Sequence, residues 1–176
     1  MADASDQDQP TSNENAATLV AKLKLTIGIE AVFQAPDEMG RPSFRQYALA
    51  IGDFNPVYTD SQAAKAHGLR DVMAPPTLIC DTWQYVEGDI DDQGRLVALR
   101  DELEAGGLRA GNDYEFFQPV HPDDVVTARR QTKNVYEKTG RSGSLVFWEV
   151  ETRFFNQRGE LLATNLETMF RKVLRL

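Results

Sequence analysis

Ser144-Leu145-Val146-Phe147-Trp148-Glu149-Val150-Glu151-Thr152-Arg153-Phe154-Phe155-Asn156 is the stretch on which the fold turns. Val146, Trp148, Val150, Thr152 and Phe154 fall on one side of an extended chain, and Glu149, Glu151 and Arg153 on the other. That period of two is the mark of a strand with one buried face. Downstream, Asn156-Gln157-Arg158-Gly159 reads as a hairpin turn into a strand over about 160–173. Upstream, Pro119-Val120-His121-Pro122-Asp123-Asp124 separates two more strands, about 112–118 and 124–137. A further strand is expected near 28–34.

Moving toward the N-terminus, the period changes. Leu19, Val20, Leu23 and Ile27 predict a short amphipathic helix near 17–27. Ser43 and Gln46 have the spacing of a capping box. Phe44, Tyr47, Ala48 and Ile51 make the apolar stripe of the helix that follows, and Gly52 ends it. Thr59 or Asp60 caps a second helix that reaches His67 and stops at Gly68. Pro75-Pro76 leads into a third helix over about 77–87, ended by Gly88. Leu78, Ile79, Thr82, Trp83 and Val86 make that helix apolar around much of its circumference, so it is read as buried. Residues 89–106 are acidic and glycine-containing, a loop with room for one short helix. One buried helix followed by long antiparallel strands predicts an α+β architecture, a curved sheet wrapped around a helix. Trp83, Trp148 and Phe154 are expected in its core.

Composition narrows the function. The 176 residues fit one domain. Twenty-seven acidic against 19 basic side chains give a formal charge of −8, which argues against a nucleic-acid partner. No apolar run approaches the roughly 20 residues that span a bilayer. Residues 1–16 hold Asp3, Asp6, Asp8 and Glu14 without a Lys or Arg, and are expected to be disordered, leaving 17–176 as the domain. They lack the basic and apolar regions of a secretory signal, so a cytoplasmic location is expected. Cys80 alone excludes an intramolecular disulfide, and His67 and His121 alone leave no histidine-rich metal site.

The segment Tyr47-Ala48-Leu49-Ala50-Ile51-Gly52-Asp53-Phe54-Asn55-Pro56-Val57-Tyr58-Thr59-Asp60 resembles the signature of MaoC-type hot-dog hydratases, an aromatic followed by Gly-Asp-x-Asn-Pro-apolar-His. Val72-Met73-Ala74-Pro75-Pro76-Thr77-Leu78 is similar to the entry of that family's central helix. Arg109 to Val120 resembles the strand that follows it, and Tyr136 to Gly143 also fits. The resemblance covers about 28–173 and is nearest to the N-terminal-type MaoC dehydratase domain. It implies a hot-dog fold and (R)-specific hydration of a trans-2-enoyl thioester, or the reverse dehydration of a 3-hydroxyacyl thioester. An Asp and a His on one loop then share the work of general base and acid. N–H groups at a helix start meet the charge that gathers on the thioester oxygen.

By that resemblance Asp53 is the catalytic aspartate, or else only organises its own turn, and Asn55 either assists it or bonds the loop backbone. Tyr58 stands where the family has its His. A phenol ionises near pH 10 and is no neutral-pH base, although it can donate a hydrogen bond. Thr77 either holds the thioester oxygen or caps its helix. Gly111 and Asn112 either line the acyl channel or mark a bulge. Lys138, Arg141 and the Ser142-Gly143 backbone either touch coenzyme A phosphates or form a solvated hairpin tip. No cofactor is implied beyond the coenzyme A of the substrate. The implied partners are an acyl-CoA or acyl-carrier-protein thioester and a second hot-dog, because a lone sheet leaves an edge uncovered. The expected function is thus a hydratase or dehydratase subunit whose partner carries the full Asp/His pair. A homodimer using Asp53 and Tyr58, or a non-catalytic acyl-thioester binder, is the alternative. A thioesterase is a weaker third.

Overall fold

The alternation across 144–156 becomes β4 (Gly143–Phe155). Its even-numbered residues from Val146 to Phe154 are buried, and the intervening ones are half-buried. The computed structural model describes residues 15–81, 106–140 and 143–174. Around β4 lie β3 (Thr127–Gly140) and β5 (Leu161–Leu174), with β1 (Glu30–Gln34) and β2 (Leu108–Phe116) at the two edges. The order is β1-β3-β4-β5-β2, antiparallel throughout. The five strands match the expected ones in number and order. β2 begins at Leu108 rather than 112, and the register shift between Arg109 and Gly111 is the irregularity that hides its start.

The helices are α1 (Ala16–Lys24), α2 (Arg41–Ile51), α3 (Ser61–Ala66) and α4 (Leu78–Asp81), with a 3-10 turn at Pro56–Tyr58. Asn15 caps α1 by accepting the Thr18 N–H at 2.9 Å. The helix stops before 27 because Ile27 pairs with Thr132 of β3. The capping box expected at Ser43 and Gln46 does not form. α2 starts earlier, after Gly40 at φ 72°, and Pro42 occupies the first turn where a missing N–H costs nothing. The Ser43 hydroxyl instead donates to the Met39 and Gly40 carbonyls. Gly52 ends α2 in the left-handed region, as its sequence position predicts. At α3 the cap is Asp60, which accepts from Gln62 and Ala63. Of the third expected helix, α4 is described. Thr82, Trp83, Val86 and Gly88, the 89–105 stretch, segment 1–14, Arg141 and Ser142 lie outside the described residues.

The inner face of the sheet carries two apolar clusters. One gathers Phe33, Phe44, Leu78, Ile79, Val126, Phe154 and Leu162 beneath α2 and α4. The other sets Leu19 and Leu23 of α1 on Val135, Val146, Trp148 and Val150. Burying each of those leucines contributes about 1.5–3 kcal/mol. Trp148 is fully buried, and a Cβ added at Gly107 would lie 2.3 Å from its Cη2, so this position requires glycine.

Candidate functional site

The loop after α2 is built by two successive turns of one kind. The Asp53 N–H closes α2 on the Ala48 carbonyl at 2.9 Å. Asp53 Oδ1 accepts the Asn55 N–H at 3.1 Å, and Asn55 Oδ1 accepts the Val57 N–H at 3.2 Å. Each is an aspartate or asparagine bonding the backbone two residues on. Pro56 then starts the 3-10 turn. The turn folds the chain back, so the Tyr58 hydroxyl donates to Asp53 Oδ2 at 3.2 Å. The structure therefore brings Asp53, Asn55 and Tyr58 together, with Asn55 acting on loop backbone.

Tyr58 is buried against Ala48, Val57, Leu69 and Met73, whereas Asp53 is half-buried. Burial pushes the Tyr58 phenol above its ordinary value, and the bond to Asp53 and the charge of that carboxylate push it further. At neutral pH this phenol keeps its proton and serves as a donor. Around the loop, Leu49, Ile51 and Phe54 are exposed, Phe54 by 76%. Beneath Tyr58, Leu69 and Met73 continue into an apolar groove of about 230 Å³ completed by Pro76, Phe116 and Phe117.

Thr77 precedes α4, and its Oγ1 lies 2.8 Å from the Tyr47 hydroxyl. Tyr47 thus orients Thr77 across 30 residues of sequence. The motif marks Tyr47 as an aromatic on the α2 stripe, but nothing local in the sequence names its partner. Tyr47 adjoins Ala48, whose carbonyl accepts the Asp53 N–H, so the Tyr47–Thr77 and Asp53–Tyr58 pairs are both attached to the C-terminal half of α2.

Gly111 and Asn112 lie on β2, away from this loop. Gly111 follows the register shift, and Asn112 Oδ1 accepts from Asn165 Nδ2 at 3.1 Å. Lys138 sits at the β3–β4 hairpin, its ammonium 5.4 Å from the Tyr136 ring centre and 5.0 Å from that of Phe147. Lys172, Gly143 and Leu145 border a groove of about 310 Å³ beside it. Arg141, its expected companion, is outside the described residues.

His67 ends α3 in solvent. His121 is a turn residue as expected, yet it is buried. Its ring Nδ1 lies 2.9 Å from the Val72 carbonyl, and its backbone N–H donates to Asp124 Oδ2 at 2.7 Å. Asp124 is fully buried and accepts from Arg158 at 2.8 Å and Arg70 at 3.4 Å. Those arginines stand 34 and 54 residues away, which is why the sequence reading misses the network.

A sequence profile described as "FAS1-like, dehydratase domain region" matches residues 26–165. A UPF0336 protein of Parafrankia sp. is 45% identical over 139 residues, 78% of this chain and 85% of that protein. A probable enoyl-CoA hydratase alpha subunit of Thermomonospora curvata is 28% identical over 145 residues, covering 73% of this chain and 43% of that subunit. Among solved structures, the ChsH1-ChsH2 complex from Mycobacterium tuberculosis contains a chain that superposes with a TM-score of 0.73 at 20% identity. That match covers 91% of this chain and 92% of the other. The likeness and the strand order identify the hot-dog fold. Among the described residues no helix is long and apolar enough to cross a membrane.

Proposed function

Because the chain belongs to the family of FAS1-like dehydratase domain regions, we propose that it is one subunit of an (R)-specific enoyl-CoA hydratase or 3-hydroxyacyl-thioester dehydratase. A second hot-dog subunit carries the full Asp/His pair. Hydration adds the oxygen of water to the β-carbon while a base takes the water's proton, and an acid protonates the α-carbon. The observation that carries the reading is the 3.2 Å contact from the Tyr58 hydroxyl to Asp53. Both Asp53 oxygens are engaged on their own loop, and the neighbouring phenol is raised out of reach as a base. General acid–base assistance contributes about 10²–10⁴-fold, so a chain lacking half of the pair is slow alone. Its part is then to hold the thioester, with the groove beneath Tyr58 as an apolar wall at its reacting end. The Thr77 hydroxyl, oriented by Tyr47, is aimed at the thioester oxygen. The substrate is an acyl-CoA or acyl-carrier-protein thioester, no cofactor takes part, and the assembly works in the cytoplasm.

The same contact favours a second reading, a homodimer in which the Tyr58 hydroxyl supplies the acid and Asp53 the base. One experiment separates the two. Crotonyl-CoA hydration is measured with the purified chain and again with a Gly-Asp-x-Asn-Pro-x-His hot-dog partner added. Slow turnover alone, fast turnover with the partner and a small effect of Asp53→Asn in the pair are expected. Full turnover by the chain alone, abolished by Asp53→Asn and by Tyr58→Phe, overturns the subunit reading. The converse variant, Tyr58→His, is expected to raise the activity of the isolated chain.

A further inference from the structure

Between its two apolar clusters, the inner face of the sheet carries a belt of polar side chains that the site above does not use. Arg130 of β3, Thr152 of β4, Asn165 and Glu167 of β5 and Arg109 of β2 line a cavity of about 20 Å³ that Cys80 of α4 also borders. That volume holds one water-sized group. The carboxylate within it is answered. The Glu167 carboxylate, side chain 6% exposed, accepts from Arg109 Nε and lies 3.5 Å from Arg130 Nη1. Asn165 is different. It is 7% exposed and its Nδ2 donates to Asn112, but its Oδ1 is buried without a hydrogen-bond partner. A buried acceptor left unpaired is destabilising, so Asn165 Oδ1 calls for a donor from outside the chain, a water or a group of a ligand.

The lining says which donor. The group must donate a hydrogen bond to Asn165 Oδ1, sit beside guanidiniums that favour an acceptor, and be no larger than a water molecule. A hydroxyl meets all three conditions, whether a water's or one that a ligand brings in the water's place. A carbonyl only accepts, and a methyl does neither. The position says what the hydroxyl is attached to. The Cys80 N–H bonds the Thr77 carbonyl at 3.0 Å, so Cys80, on the rim of the cavity, lies three residues, about 4.5 Å of helix rise, beyond Thr77.

We propose that this cavity is a specificity pocket for an acyl thioester carrying a hydroxyl several carbons beyond the reacting double bond. The inference rests on the proposed thioester-binding function, with Thr77 at the carbonyl. In this arrangement the acyl chain passes along α4 and its distal hydroxyl donates to Asn165. An unsubstituted alkyl chain leaves Asn165 unpaired and is held less tightly.

The test is calorimetric titration of the full chain with 6-hydroxyhexanoyl-CoA and with hexanoyl-CoA. The hydroxylated thioester is expected to bind about tenfold more tightly, and Asn165→Leu to erase that preference while hexanoyl-CoA binding stays within a few-fold. Equal binding of the two thioesters by the wild-type chain overturns the pocket and leaves the thioester function standing. Absence of binding by both overturns the thioester function and takes the pocket with it. A preference that survives in a folded Asn165→Leu chain also overturns the pocket. Should that variant fail to fold, the wild-type comparison decides alone.

Discussion

Two aspartates at loop corners, Asp53 and Asp124, accept a backbone N–H from a neighbour in almost the same way, and there the likeness ends. Asp124 has no exposed surface and takes hydrogen bonds from two guanidiniums, which tie the loop at Arg70 and the hairpin at Arg158 to the turn at 121–124. Its charge is balanced inside the protein. Asp53 is half-buried, and among the described residues its side-chain partners are one N–H and one phenol, both neutral. A compensated, enclosed carboxylate is a structural tie. A half-buried carboxylate whose partners are neutral keeps a charge that another molecule can meet.

If that contrast is real, the largest effect belongs to Asp124→Ala. Removing it orphans the His121 N–H and breaks both arginine ties, at a cost of about 3 kcal/mol in urea unfolding. Asp53→Asn, by the same assay, is expected to stay within about 0.5 kcal/mol. Equal losses at the two positions would break the comparison. Tyr58→Phe comes next, at about 1 kcal/mol, since it removes one hydrogen bond whose acceptor can turn to water.

The smallest effect is on acid stability. The hydrogen bond from Arg70 holds the Asp123 carboxyl below the ordinary range, and the charges of Arg70 and Arg158 add to it against the opposing pull of burial. A depressed folded-state value stabilises the protein above the unfolded value, near pH 3.9, and the gain is lost as pH falls through the folded value. Thermal melts from pH 6 down to pH 3 should therefore steepen below about pH 4. Arg70→Gln should flatten that fall, modestly because Asp123 is half exposed.

What the sequence makes legible follows the range of the interactions. β4 can be read because its burial alternates residue by residue, and the ends of α2 and α3 because Gly52 and Gly68 sit where the chain needs positive φ. The start of α2 is misread because Ser43 has two carbonyls behind it as well as an N–H ahead, and the spacing to Gln46 does not say which it will bond. Within the site, Asp53, Asn55 and Tyr58 are found because one six-residue stretch carries the family resemblance and also the hydrogen bonds their side chains make. Tyr47 with Thr77, Asp124 with its arginines, and the polar belt at Asn165 and Glu167 escape for the opposite reason. Each is assembled from strands or loops that only the sheet topology brings together.

The strand order has a consequence for the growing polypeptide on the ribosome. Both edges of the sheet, β1 and β2, are translated before the strands they pair with: β1 waits for β3 about a hundred residues later, and β2 for β5. Until then Val32, Leu108 and Phe116, all exposed even in the finished fold, sit on strands with no neighbour. Unpaired edges of this kind invite association with other chains. The chain up to about residue 116 is thus the part that a nascent-chain chaperone would have to shelter, and slow decoding ahead of β5 would prolong the hazard.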